Sequence, residues 1–140
     1  AASDVYKRQA GYKLHQEGVK LAVAVDVTHA GGYPGLEEKD CPVRLKQGSV
    51  ISRGPPIPLS LSMIFEEEAK RRGIPYQLVS EAGKTRTDLD VLQLARTGLK
   101  SMLISIPLKY MHTTVEVVDL GDVESAAKIM AYSIERALKK

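Results

Sequence analysis

Residues 21–25, LAVAV, form an unbroken apolar run. A short run of that kind suits a strand buried on both faces, as in a parallel sheet covered by helices. The composition at 30–35, AGGYPG, is that of a loop. Two short extended pieces follow at 43–45 and 50–52, which could pair as a hairpin. The segment RGPPIP comes next, and its three prolines forbid regular structure. Residues 60–72 carry a helical period, with Leu61, Ile64, Phe65 and Ala69 on one face. Glu66–Lys70, Glu67–Arg71 and Glu68–Arg72 are i,i+4 pairs in the favourable order. Gly73 is placed to close this helix in a left-handed cap, and Pro75 prevents its resumption.

Residues 76–79 read as a strand and EAGKTRT as a polar loop. A second helix is predicted over 88–97, with Thr87 or Asp88 as its N-cap and Gly98 at its end. SMLISI at 101–106 is another buried strand, 107–114 a loop and 115–118 a short strand. The final helix spans 121–140, with Val123, Ala127, Met130, Ile134 and Leu138 as its apolar face. Strands alternating with helices predict an α/β sandwich around a mostly parallel sheet. No internal repeat or low-complexity segment interrupts it.

A length of 140 residues suits one domain with one core. Apolar residues at 44 % and charged residues at 26 % are ordinary for a soluble globular chain. No apolar run approaches the ~20 residues of a membrane-spanning helix, so no membrane partner is expected. The opening AASDVYKRQ lacks the apolar centre of a secretory signal, which makes a cytoplasmic address the expectation. The net charge of +3 is spread along the chain among Glu and Asp. With one Phe and no Trp for base stacking, a nucleic-acid partner is not expected. The single Cys41 excludes an internal disulfide and reads as a packed or surface thiol.

Sites in open α/β sheets collect at the carboxyl ends of strands. Asp26 directly follows LAVAV, and His112 lies in the loop after SMLISI. A carboxylate at the end of a buried strand needs a partner. It is either a metal ligand or a cap that accepts backbone N–H groups of VTHAGG. His112 is either a metal ligand whose second nitrogen donates to a carboxylate such as Glu116, or a histidine hydrogen-bonded within its loop. His29 has a tempting spacing from Asp26, but two groups do not complete a tetrahedral site, and His15 reads as solvated. Asp88 and Asp90 open a helix, where carboxylates serve as cap and dipole residues. Glu66, Glu67 and Glu68 read as a solvated helix face. Gly31–Gly32 and Gly54–Pro55 lack the spacing of a phosphate loop, and no serine sits in a G-x-S-x-G elbow.

Four blocks in order resemble one family: AVDVTHAGGYPG at 24–35, VISRGPPI at 50–57, GIPYQ at 73–77 and SIPLKYMHTTVEVVDLGDVESAAK at 105–128. They are similar to the tetrahedral, or glutamyl aminopeptidase, family of dinuclear metallopeptidases, some members of which carry the label cellulase M or endoglucanase. The resemblance runs from residue 24 to the end and covers the carboxy-terminal portion of such a protein. It implies an α/β/α sandwich of the zinc-exopeptidase type, incomplete at its amino-terminal side. It also implies two divalent metal ions, zinc or cobalt, a peptide substrate and a homo-oligomer for the full-length protein. Asp26, in AVDVTHA, matches the family's aspartate on one metal, and His112, in YMHT, its histidine on the other. Glu116, Asp88 and Tyr110 fall where neighbouring or substrate-pocket groups are expected.

The remaining ligands and the general-base glutamate are expected upstream of residue 24. Residues 1–23 supply none of them, and 1–9 read as non-native sequence. Within the matched region, KTRTDLD at 84–90 departs from the family's G-T-D-A segment, because Arg86 and Leu89 replace small residues. Lys109 stands where the family has arginine. The implied activity is removal of amino-terminal residues by a metal-activated water, with the segment alone expected to be inactive. The rival readings are a non-catalytic segment and a glycoside hydrolase. The latter needs paired carboxylates across a sugar cleft and aromatic platforms that this composition lacks.

Overall fold

A computed structural model describes residues 9, 12–14, 16–35, 37, 39–85, 87–92 and 99–139. The readings made for His15, Arg86 and Gly98 lie outside the described residues. In chain order the elements are β1 (Ala22–His29), β2 (Ser49–Arg53), α1 (Leu59–Arg72), β3 (Tyr76–Ser80), α2 (Leu89–Leu92), β4 (Ser101–Lys109), β5 (Val117–Val118) and α3 (Leu120–Leu138).

The strand order is β1-β4-β2-β3, with β5 on the end of β4. β1 runs parallel to β4 along its whole length, from Ala22 opposite Ser101 to His29 opposite Leu108. β2 and β3 are parallel to each other. β2 meets β4 antiparallel, Val50 opposite Ser105 and Ile51 opposite Ile104. The α/β class is as expected, and the sheet is mixed, with long parallel ladders and two short antiparallel ones. No hairpin forms over 43–52. The Gln77 side chain takes the place of a partner strand: it accepts from Arg44 N at 2.8 Å and donates to the Arg44 and Gly48 carbonyls at 2.8 Å each.

β4 is the buried strand that its apolar run predicted, but it extends to Lys109. Pro107 belongs to the strand rather than to a loop. It lies in the gap between the β2 and β5 ladders, where the missing N–H leaves no bond unmade on that side. β1 differs from expectation. It is not buried on both faces, since Val25 is 48 % and Val27 38 % exposed. It also continues three residues past Asp26, so that carboxylate sits mid-strand. The main core gathers Ile51, Phe65, Leu89, Met102, Ile104 and Ile129 from sheet and helices.

α1 buries Leu61, Ile64, Phe65 and Ala69, the predicted face. Its end is the left-handed cap at Gly73, where φ is 63° and Ile74 N donates back to Ala69 O at 2.9 Å. Of the run Glu66–Glu68, only Glu67 is on a solvated face. Glu68 is 2 % exposed, because α3 lies alongside α1 and brings Arg136 against it. Two predicted pairs form, Glu66–Lys70 at 2.7 Å and Glu68–Arg72 at 3.3 Å. Arg71 instead turns to Glu68 at 2.7 Å, and Glu67 to Arg136. Arg72 also lies over the Tyr132 ring of α3, 3.6 Å from its centroid.

The buried stripe of α3 is rotated from the predicted one. Asp122, Ser125, Ala126, Ile129 and Ser133 face inward, while Val123 and Leu138 are exposed. Two polar members of this stripe, Asp122 and Ser125, serve the turn that enters β2. The Asp122 carboxylate accepts from Lys46 N at 2.8 Å and Gly48 N at 2.7 Å. Ser125 Oγ accepts from Ser49 N at 2.7 Å and donates to Asp122 O at 2.8 Å. At this turn Gly48 has φ of 89°, and a Cβ there would collide with the Pro75 carbonyl. Asp119 caps the helix by accepting from Gly121 N at 2.8 Å.

Two predictions follow from α3 and its partners. Asp122→Ala strands two N–H donors and is expected to lower the urea unfolding free energy by about 3 kcal/mol, against about 1 kcal/mol for Asp119→Ala. Equal effects would contradict the buried role of Asp122. Hydrogen bonds from Arg71 first, then Arg136 and Arg72, hold the Glu68 carboxyl at about 2, below the ordinary 4.5, against the opposing effect of burial. A carboxyl lowered on folding stabilises above its unfolded value, and that stabilisation fades as pH falls from 4.5 towards 2. The melting-temperature gap between this chain and Glu68→Gln, followed by circular dichroism, should therefore be full at pH 6 and close as pH falls to 2.

Candidate functional site

The full-length pairing of β1 with β4 sets the geometry of the site. Because His29 lies opposite Leu108, the loops after the two strands leave the sheet side by side, and Ala30 N donates to Leu108 O at 2.9 Å. One strand carries Asp26 and the other leads into the loop of His112. Residues 86 apart (112 − 26) thus reach the same half of one strand pair.

Asp26 sits opposite Ser105 and is half-buried. Its Oδ1 accepts from Val27 N at 2.8 Å. One carboxylate oxygen thus performs the local capping that the sequence also allowed. His29, three residues further along the same strand, projects to the opposite face, because side chains alternate. The strand undoes the Asp26–His29 spacing. Cys41 donates its thiol to His29 O at 3.3 Å, a packed role rather than a ligand's.

His112 is exposed in a tight turn and has φ of 64°. Tyr110, two residues earlier, has φ of 60°. Left-handed backbone at two non-glycine residues is uncommon and needs local support. Glu116 gives part of it, since its Oε1 accepts from the His112 backbone N–H at 2.8 Å. The contact is to the main chain, whereas the sequence suggested the imidazole. Tyr110 O accepts from Thr113 N at 3.1 Å. The Thr113 hydroxyl lies 2.6 Å from Tyr110 O and 2.8 Å from Val115 O and can donate to either.

The structure therefore unites Tyr110, His112 and Glu116 in one turn and sets Asp26 on the neighbouring strand. Asp88 arrives differently. It follows β3, which leaves the sheet at the end where β4 enters. It is half-buried just before α2. Thr87 is the cap of that helix, its Oγ1 accepting from Leu89 N at 3.2 Å. Asp90 accepts from Thr85 N at 2.9 Å and Thr85 Oγ1 at 2.8 Å.

Two residues of this region were not singled out for the site by sequence. Tyr33, in the loop after β1, accepts from Tyr110 N at 2.8 Å and packs edge-on against the Tyr110 ring, centroids 5.4 Å apart. Lys109 was noted only as a departure from arginine. Its Nζ donates to Gly32 O at 3.1 Å and stands 5.2 Å from the Tyr33 ring centroid. These contacts span 77 residues, and only the β1–β4 pairing creates them. Gly31 is held close as well: a Cβ there would meet Arg44 Nη1 and the Cys41 carbonyl.

A carboxylate and an imidazole are donors that zinc or cobalt takes. Among the described residues, no three or more His, Cys, Asp or Glu gather to hold an ion. Asp26 and His112 are of donor types that such an ion takes, and two donors fall short of the four of a tetrahedral site.

The structure is an α/β domain with an acidic residue inside one strand and a histidine turn after its parallel neighbour. The profile of the M42 glutamyl aminopeptidase family matches residues 8–129, and the chain belongs to that family. It is 35 % identical over 116 residues to the lysyl aminopeptidase of Pyrococcus furiosus, covering 83 % of this chain and 33 % of that protein. It superposes on an aminopeptidase from the archaeon Desulfurococcus kamchatkensis with a TM-score of 0.76 and 31 % identity, over 89 % of this chain and 36 % of that one. A TET aminopeptidase from a marine-sediment Thaumarchaeota archaeon gives a TM-score of 0.76 at 26 % identity, over 89 % and 35 %. The chain spans about a third of the length of these relatives.

The histidine turn generates its own test. Glu116→Ala removes the acceptor of the His112 N–H, and exchange of that amide, followed by nuclear magnetic resonance, should quicken roughly 5- to 10-fold. Unchanged exchange would show that Glu116 does not hold the turn.

Proposed function

We propose that this segment contributes Asp26 and His112 as metal-ion donors to a metal-dependent aminopeptidase that removes amino-terminal residues from peptides. The reading is supported above all by one observation: the family match spans both residues, Asp26 lies on β1, and His112 lies in the turn that follows its hydrogen-bonded neighbour β4. Divalent ions bound there, zinc or cobalt, would supply Lewis-acid polarisation of a peptide carbonyl and a water acidic enough to ionise near neutral pH. Asp26 would bring a hard anionic oxygen from a rigid strand. His112 would bring a neutral nitrogen from a turn whose backbone Glu116 fixes. Tyr110, 48 % exposed beside it, would line the approach of the peptide. The other donors and the general base are expected in the part of the relatives' length that this chain does not span. An assembly of several copies of the whole protein belongs to the same proposal.

The test is hydrolysis of aminoacyl-p-nitroanilides by the whole protein, with and without added zinc or cobalt. The expected result is metal-dependent release that falls at least 100-fold in Asp26→Ala and in His112→Ala. Release that ignores both substitutions, or no release from any aminoacyl substrate, would refute the reading.

A further inference from the structure

We propose that Tyr33 is a positioning residue for His112, acting across the two loops through the backbone of Tyr110. The inference rests on the metal-donor reading of His112. Two residues of the histidine turn are left-handed, and the amide of each is captured by a side-chain oxygen. The His112 amide goes to Glu116, inside the turn. The Tyr110 amide goes to the hydroxyl of Tyr33, in the loop that follows β1.

That second bond has a structural reason. Ladder pairing between β4 and β5 stops at Lys109 opposite Val117, so the next amide has no strand partner. Tyr33 supplies one at 2.8 Å, and its ring meets the Tyr110 ring at 75°. The Lys109 ammonium, bonded to Gly32 O, draws the same two loops together. Tyr33 thus ties the β1 loop to the start of the turn that presents His112. Groups that orient a metal-ligating histidine from behind alter metal affinity without touching the ion.

Tyr33→Phe keeps the ring and removes only the hydroxyl. Tyr132→Phe, on the far helix beneath Arg72, is the matching control. The experiment uses the whole protein loaded with cobalt and reads affinity by chelator competition and the visible absorption of the bound ion. The expected result is roughly 10-fold weaker binding and a changed spectrum in Tyr33→Phe, with neither change in Tyr132→Phe. The Tyr110 amide should also exchange faster in Tyr33→Phe, at an unchanged melting temperature. In a His112→Ala background the Tyr33 substitution should have no further effect on affinity. Unaltered affinity and spectrum in Tyr33→Phe would overturn the proposal, as would an equal loss in the His112→Ala background. Failure of the unsubstituted protein to bind cobalt would overturn the metal reading instead, and this inference with it.

Discussion

β4 hydrogen-bonds to three other strands: to β1 along eight residues, to β2 at its middle and to β5 at its end. A nine-residue strand paired along nearly all of one edge and at four residues of the other has little freedom to shift register. Its first half anchors the core through Met102, Leu103 and Ile104. Its last residues deliver the histidine turn. A one-residue slip would send the core residues to the wrong face and pull Tyr110 away from Tyr33. The packing of the core and the placement of the candidate site thus share one constraint.

The rest of the molecule serves that strand. α1 and α3 pack on each other and over β2 and β4, bound by the Glu68–Arg136 ion pair as well as apolar contact. α3 adds an unusual inner stripe, in which Asp122 and Ser125 satisfy the backbone of the turn into β2. Burying a polar group without a partner is costly, and those two are paired. On the β1 side, Val25 and Val27 remain exposed on an edge strand. The face of β1 that carries Val25, Val27 and His29 is the less covered one, and Asp26 lies on the other, beside buried Ala24.

Much of this was legible in the sequence. The period of 60–72 gave α1 and its buried face, and Gly73 with Pro75 gave its end, because capping is local chemistry. The order of strands and helices gave the α/β class. Strand direction was not legible: short apolar runs carry no sign of parallel or antiparallel pairing, and β2 turned out to oppose β4. The stripe of α3 was misjudged because apolar periodicity cannot see that Asp122 and Ser125 have backbone partners more than 70 residues away. The solvated reading of Glu68 failed for the same reason, since Arg136 arrives from another helix. Asp26 and His112 were singled out by motif, and Asp26, expected at a strand end, lies inside one. Tyr33 was missed because its contact exists only once β1 and β4 lie side by side.

Asp26 and His112 are proposed above to hold divalent ions in the whole protein. The most direct measurement is anomalous X-ray scattering at the zinc or cobalt edge from crystals of that protein. Anomalous peaks are expected within bonding distance of an Asp26 carboxylate oxygen and of a His112 ring nitrogen, about 2.0–2.2 Å away. Peaks at other residues, or none near either of these at saturating metal, would contradict that proposal.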